Sequence, residues 1–289
     1  KPSPTPQLPL APLSGLPVTK AEVAARPAVA APIRVTSTTT PAGLDAADLV
    51  YQEFAEAGSL HLTAIFQSRD VTRIGPVTEI RPVDIRSVGV LQPVVGYTGG
   101  PTGFLSQFED SGLTGVTPTS RKAAFSAGYT STAALLAAAP SGSTAPTALF
   151  QHAETGTPLA SQDVTTAGTL TVAAPGHPTQ TWRYDPASGT WQGRVGRVTV
   201  SAASVVVLTM PYRTLTVRKP SPRSLPGAQV FGDGAALVVS GPSTAKAKWR
   251  KPGQKAVCHV TDLAGVPIRP RPGTAWVVYA PATAKVTVA

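Results

Sequence analysis

The chain has 289 residues, 42% of them hydrophobic and 14% charged, with 30 prolines, 26 glycines and a formal net charge of +10. That length and apolar share can bury a sizeable core in one or two domains, and no run of about 18 apolar residues is present to span a membrane as a helix. A single cysteine, Cys258, excludes an internal disulfide, and the four histidines (His61, His152, His177, His259) form no ligand-spaced group, so no metal or other cofactor is expected.

Residues 1–12, KPSPTPQLPLAP, carry five prolines and predict an extended, disordered tether reaching on the order of 35 Å. The abrupt start at Lys1 suggests a processed or truncated terminus; the stretch fits a surface stalk, with an ordinary frayed end as the plainer alternative. An N-terminal domain is expected over 13–145. From Gly43 the patterning sharpens. Asp45 and Asp48 frame a capped helical turn. Leu49 to Glu56 then alternates, with Val50 and Phe54 on one face and Tyr51 and Glu53 on the other. Ala57-Gly58-Ser59 turns, and Leu60 to Gln67 alternates again, His61 and Thr63 opposite Leu60 and Leu62. Val50, Phe54 and Ala57 also fit a helical spacing, but the β-branched and aromatic run ending at glycine favours a hairpin.

Gly75-Pro76-Val77 predicts a loop, and Pro82 suits the first turn of a helix with Ile85, Val88 and Leu91 along its stripe. Pro93–Thr98 predicts a buried strand and Thr102–Glu109 a second helix, so strand, helix and strand suggest a βαβ unit. Thr98-Gly99-Gly100 leaves that strand and enters the helix; its free N–H groups could hold an anion, with Arg81 nearby, although Gly-Gly there is also ordinary turn chemistry. Thr130 or Ser131 caps an Ala/Leu helix over 132–139, and the low-complexity run 140–147 marks a seam before a second domain, 146–289. In that half the pattern predicts a hairpin at 182–191 and strands at 195–210, 235–239, 246–251, 256–261 and 275–279. The expected class is α+β: an N-terminal mixed α/β unit with a βαβ element, then a mainly antiparallel β unit.

Charge divides unevenly. Residues 1–150 hold ten Lys/Arg against ten Asp/Glu, whereas 151–289 hold fifteen against five, so the excess of +10 belongs to the second half. Such a field favours anionic partners or serves solubility alone. Lys246, Lys248, Arg250, Lys251 and Lys255 form a candidate anion-binding surface; lysines on a strand also protect an edge from aggregation. No stacking platform accompanies these cations, so nucleic acid is not expected. Glu53 or Glu56 with Asp84 could supply a general acid and base, but no nucleophile elbow or Ser-x-x-Lys pair occurs, and ion pairs with Arg69, Arg73, Arg81 or Arg86 are the expected use of the acids.

The order GLDAADLVYQEF, AEAG, FQS, IGPV, RP-DI, the segment Arg121–Ser131, Trp182–Asp185, Phe231–Gly234, Trp249 and Pro272–Trp276 resembles the YerB-like lipoproteins, a bacterial family of unknown function. The resemblance covers nearly everything after residue 12 and implies a lipid-modified cysteine just upstream, hence an extracytoplasmic protein tethered to the membrane. The chain departs from the family pattern at Leu60-His61, Thr78, Ala127-Gly128 and the run Ile33–Pro41, so several polar groups of a shared site are replaced. The expectation is a monomeric, non-catalytic binding or scaffolding protein for anionic wall polymer or membrane surface, with an envelope protein as a further partner. A hydrolase of wall glycan or polymer is the alternative. The candidate ligand-binding residues of the protein are Glu53, Arg81, Asp84, Thr98, Gly99, Gly100 and Tyr129, and a cleft uniting Glu53, Asp84 and Tyr129 would favour the hydrolase.

Overall fold

A computed structural model describes residues 8–154, 157, 159, 161, 164–219 and 221–289. The strands run in chain order as Val29–Val35 (β1), Leu49–Phe54 (β2), Leu60–Phe66 (β3), Val94–Gly96 (β4), Thr114–Val116 (β5), Val164–Thr166 (β6), Thr169–Ala173 (β7), Gln180–Asp185 (β8) and Thr190–Val195 (β9). They continue as Val198–Ala202 (β10), Ser204–Met210 (β11), Tyr212–Val217 (β12), Arg223–Ala228 (β13), Gly232–Ser240 (β14), Ser243–Lys251 (β15), His259–Asp262 (β16), Ala275–Pro281 (β17) and Lys285–Val288 (β18). The helices are short: Ala21–Ala25 (α1), Pro82–Val88 (α2), Thr102–Asp110 (α3) and Thr132–Leu136 (α4). The α+β class holds, with strands dominating the second half.

One mixed sheet spans both halves of the chain in the order β16-β15-β14-β11-β17-β2-β3-β1-β4-β5, with β6 pairing beside β15. β17 lies parallel to both β11 and β2, so the last third of the sequence is inserted beside the first hairpin. The 140–147 loop, exposed except at Ala145 and Pro146, lies between halves that share this sheet. A second sheet, β10-β9-β8-β7-β18, packs over one face, where Trp182 and Trp276 meet with ring centroids 5.2 Å apart. Gly193 permits that packing, because a Cβ there would come within 2.7 Å of the Trp182 ring. α2, α3 and the two-stranded arm β12–β13 cover residues of the other face. Both faces of β2 and β3 are therefore buried, and every residue of the two strands is inside.

The hairpin forms as expected, with register Glu53↔His61 and Tyr51↔Thr63. Asp48 caps nothing: its carboxylate accepts the backbone N–H groups of Gln67 (2.5 Å) and Ser68 (2.8 Å) and the Ser68 hydroxyl, clamping the far end of the hairpin. The βαβ element sits one step later than the pattern suggested. β1, unmarked in the sequence, lies between β3 and β4, and the parallel unit is β4-α3-β5. The long strand expected over 195–210 is three pieces, broken after Val195 and at Ala203.

The tether expected over 1–12 is not found in its described part. Residues 1–7 lie outside the described residues, but Pro9 accepts from the Val18 N–H, Ala11 is fully buried, and Leu10 bridges to Pro17. No helix among the described residues is long and apolar enough to cross a membrane.

Candidate functional site

The hairpin pairing places Glu53 beside His61 on the sheet face that α2 covers, and Thr63 follows two residues along the same face. α2 then brings its first turn down onto them. Asp84, three residues after Arg81, accepts the Arg81 backbone N–H at 2.7 Å and so helps to cap the helix start. The same carboxylate takes the Thr63 hydroxyl at 2.5 Å and His61 Nε2 at 2.8 and 2.9 Å. It has no exposed surface and is saturated with donors.

The Arg81 guanidinium turns the other way. Its Nη2 donates to both oxygens of Glu56 (2.9 and 2.8 Å), and its Nη1 lies 3.8 Å from Glu53 Oε2. Arg34 closes the outer rim, 3.3 Å from Glu56. Glu53 also accepts the Ala228 N–H at 2.7 Å, which ties the arm to the cluster. Tyr212 anchors the arm's other strand, its hydroxyl donating to the Tyr279 carbonyl (2.7 Å) and accepting from the Phe54 N–H (3.1 Å).

Burial dominates the electrostatics. Desolvation pushes the Glu53 carboxyl up to about 7, against the opposing pull of His61, the Ala228 N–H and Arg81. At Glu56, partial burial works upward too, but Arg81 and Arg34 prevail and hold it below the ordinary carboxylate value. A carboxyl near neutrality beside a second carboxylate is the electronic arrangement of an acid–base pair. Geometry withholds the substrate: Glu53, His61, Arg81 and Asp84 each expose 2% or less of their surface. Three buried nitrogens here, His61 Nδ1 and Arg81 Nε and Nη1, have no hydrogen-bond partner among the described residues.

The structure thus unites three of the seven candidate ligand-binding residues, Glu53, Arg81 and Asp84, with His61, Thr63 and Glu56. His61 was legible as a polar residue on the Thr63 face, but its pairing with Asp84 was not. Thr98, Gly99 and Gly100 run alongside residues 78–80, where Thr98 donates to the Thr78 carbonyl and Gly99 accepts from the Ile80 N–H. No hydrogen bond joins them to the Arg81 guanidinium, which faces Glu56 and Glu53 instead, so the expected Arg81–Gly-Gly anion site is not assembled. Tyr129 lies elsewhere, its ring under the Arg73 guanidinium at 3.9 Å, so no cleft unites Glu53, Asp84 and Tyr129. Of the arginines expected to pair with these acids, only Arg81 does so: Arg69 donates to the Asp45 carbonyl and Arg86 sits over Phe231. Among the described residues no three His, Cys, Asp or Glu side chains converge on a metal position.

The basic candidates divide by strand parity. Lys246, Lys248 and Arg250 are exposed, while Ala245, Ala247 and Trp249 between them are buried. No carboxylate lies within ion-pair reach of these three among the described residues. Lys255 is exposed nearby. Lys251 does not belong to the surface: it is 4% exposed, and its ammonium donates inward to the carbonyls of Ala256 (2.5 Å) and Gln254 (3.4 Å). Burial lowers its pKa. The three outward cations lie on the face that the second sheet covers further along, and no residue of β15 or β16 joins the core of that face. An open hollow of about 780 Å³ results, lined by Lys248, Arg250, His259, Trp249 and Leu263, with Asp233 as its one acid.

Comparison with known proteins accords with this picture of the fold. The family described as protein of unknown function (DUF3048) matches twice, its N-terminal domain over residues 13–153 and its C-terminal domain over 169–277. No curated protein matches. Among solved structures, the YerB protein from Bacillus subtilis superposes with a TM-score of 0.74 at 17% identity, covering 96% of this chain and 99% of that one. The chain belongs to the DUF3048 family of YerB-like bacterial proteins of unknown function.

Proposed function

We propose that this protein is a non-catalytic binding protein of the cell envelope, held to the membrane by an N-terminal lipid, that engages anionic wall polymer through the outer face of β14–β16. The observation that carries the reading is the alternation of β15, which exposes Lys246, Lys248 and Arg250 on one face, Lys248 and Arg250 lining the open hollow and none of the three ion-paired among the described residues. Edge protection alone would leave such lysines beside a free strand, yet β15 is an inner strand flanked by β14 and β16. A repeating polyanion needs no shaped cavity to bind there. An anionic membrane surface offers the same charge and is the second candidate. The rival hydrolase reading has one observation in its favour, the near-neutral Glu53 carboxyl, and the sealing of that group against it.

The experiment is co-sedimentation of the whole chain with purified anionic wall polymer and with anionic vesicles, across a salt series. The halves share a sheet, so the intact chain is the proper reagent. Binding is expected at low ionic strength and is expected to collapse as exposed charges become screened over about 8 Å near 0.15 M salt. Vesicle binding without polymer binding would move the ligand to the membrane. Salt-independent binding, or none at low salt, would overturn the reading.

A further inference from the structure

A second place on the molecule has the attributes of a small-molecule site and is independent of the basic strand face. Two short pairings build it. Ile74 and Thr130 exchange backbone hydrogen bonds (2.8 and 3.0 Å), which sets their neighbours Arg73 and Tyr129 side by side. Ser126 and Tyr129 exchange another pair (both 2.9 Å), closing a turn that holds Ala127 at φ +48°. Between these elements lies a hollow of about 370 Å³. That falls within the range of about 300–1,000 Å³ usual for small-molecule pockets. Alanines 123, 124, 127 and 134 keep it open.

Thr130 and Ser131 spend their hydroxyls on the Ala124 carbonyl and the Ala134 N–H, but three other polar groups are unused. The guanidinium carbon of Arg73 sits 3.9 Å from the centroid of the Tyr129 ring, and among the described residues Arg73 has neither a carboxylate nor a carbonyl partner. Resting on the ring fixes the side chain and leaves its in-plane N–H donors free, the fork that matches an oxyanion in bidentate fashion. The hydroxyls of Thr72 and Ser126 line the same hollow, and neither makes a side-chain hydrogen bond among the described residues. No acid lines it. A pre-positioned arginine, two unused hydroxyls and small walls suit a ligand that carries one oxyanion on a hydroxylated carbon chain. We infer that this hollow binds the phosphate or carboxylate group of a polyol or sugar, with Arg73 holding the oxyanion and Thr72 and Ser126 the hydroxyls.

The test is an amide NMR titration of the whole chain with glycerol 3-phosphate, with inorganic phosphate, glycerate and glycerol as comparators. Glycerol 3-phosphate or glycerate is expected to shift the amides of residues 72–73 and 126–131 saturably, and whichever binds tighter identifies the oxyanion. Glycerol is expected to do nothing. Arg73→Gln, an exposed change that leaves the backbone pairings intact, is expected to weaken binding by about tenfold or more, as loss of a charge-assisted bidentate contact should. Tyr129→Leu, checked for a native amide spectrum, is expected to weaken it less, by removing the support under Arg73. Absence of saturation into the tens of millimolar for both anions would overturn the inference, as would unchanged binding in Arg73→Gln or equal shifts from glycerol. Inorganic phosphate binding as tightly as glycerol 3-phosphate would overturn the part assigned to the hydroxyls.

Discussion

Asp84→Ala is expected to destabilise the protein by about 3–5 kcal/mol, the range for removing one partner of a buried ionic network. The carboxylate is wholly inside and accepts from His61 Nε2, the Thr63 hydroxyl and the Arg81 N–H. Alanine strands all three donors in a site that water does not reach, and each orphan carries a desolvation cost of about 1–3 kcal/mol. The loss should fall on stability rather than on ligand binding. Urea unfolding should show a lower midpoint at unchanged slope, and polymer binding by the folded protein should be intact. A cost below about 1 kcal/mol would mean that the cluster does not hold α2 to the hairpin.

Stability should also fall as pH rises through neutrality, because of Glu53. Its carboxyl titrates near 4.5 when unfolded and about 7 when folded, owing chiefly to desolvation. A raised folded-state value means that the native protein binds the proton more tightly. The contribution is therefore complete below pH 4.5 and is lost as pH climbs to 7 and beyond. Two and a half pH units correspond to on the order of 3 kcal/mol. His152 acts the opposite way: burial depresses its pKa, so its contribution is lost as pH falls. Glu53→Gln separates the two. It keeps an oxygen for the Ala228 N–H and removes the titration, so the wild-type minus variant stability should decline from pH 4.5 to 7.5. A flat difference would place the Glu53 carboxyl in its ordinary range and leave the hydrolase reading without support.

How much of this was legible in the sequence depended on the range of the interactions. The hairpin was readable because Val50, Tyr51 and Phe54 alternate and Gly58 ends the run, all local signals. β1 was not, since Ala30-Ala31-Pro32 lacks the β-branched and aromatic character of a strand; the proline is tolerated beyond the β1–β4 ladder, which covers only Val29 and Ala30. The insertion of β17 between β11 and β2 leaves no local mark, because parallel pairing joins residues more than 200 positions apart. That insertion is why the 140–147 run, plausible as a seam by composition, lies between halves of one sheet.

The sites follow the same division. Glu53 and His61 were placed together by strand pairing, and Asp84 joined them through the geometry of a helix start, which sequence implies only once the helix is docked. Lys251 was misread although the alternation that exposes Lys246, Lys248 and Arg250 assigns it to the inner face. Proximity in sequence counted for more there than parity. Tyr129 has no local signal that separates it from the carboxylates, and it is the Ile74–Thr130 bridge that fixes it beside Arg73. Even so, the same strand parity that excluded Lys251 isolates the three cations on which the functional reading rests.

Polymer binding by the triple variant K246Q/K248Q/R250Q tests that reading most directly, measured beside a control triple R183Q/R194Q/K285Q. Both remove three positive charges from exposed positions, but the control residues belong to the second sheet. Near an anionic surface each cation contributes about 1 kcal/mol, so three amount to roughly a hundredfold in affinity. The account predicts that loss for the β15 triple and a much smaller one for the control at equal net charge. Equal losses would show that the charge acts only as a diffuse field. An undiminished affinity in the β15 triple would contradict the assignment of this face outright.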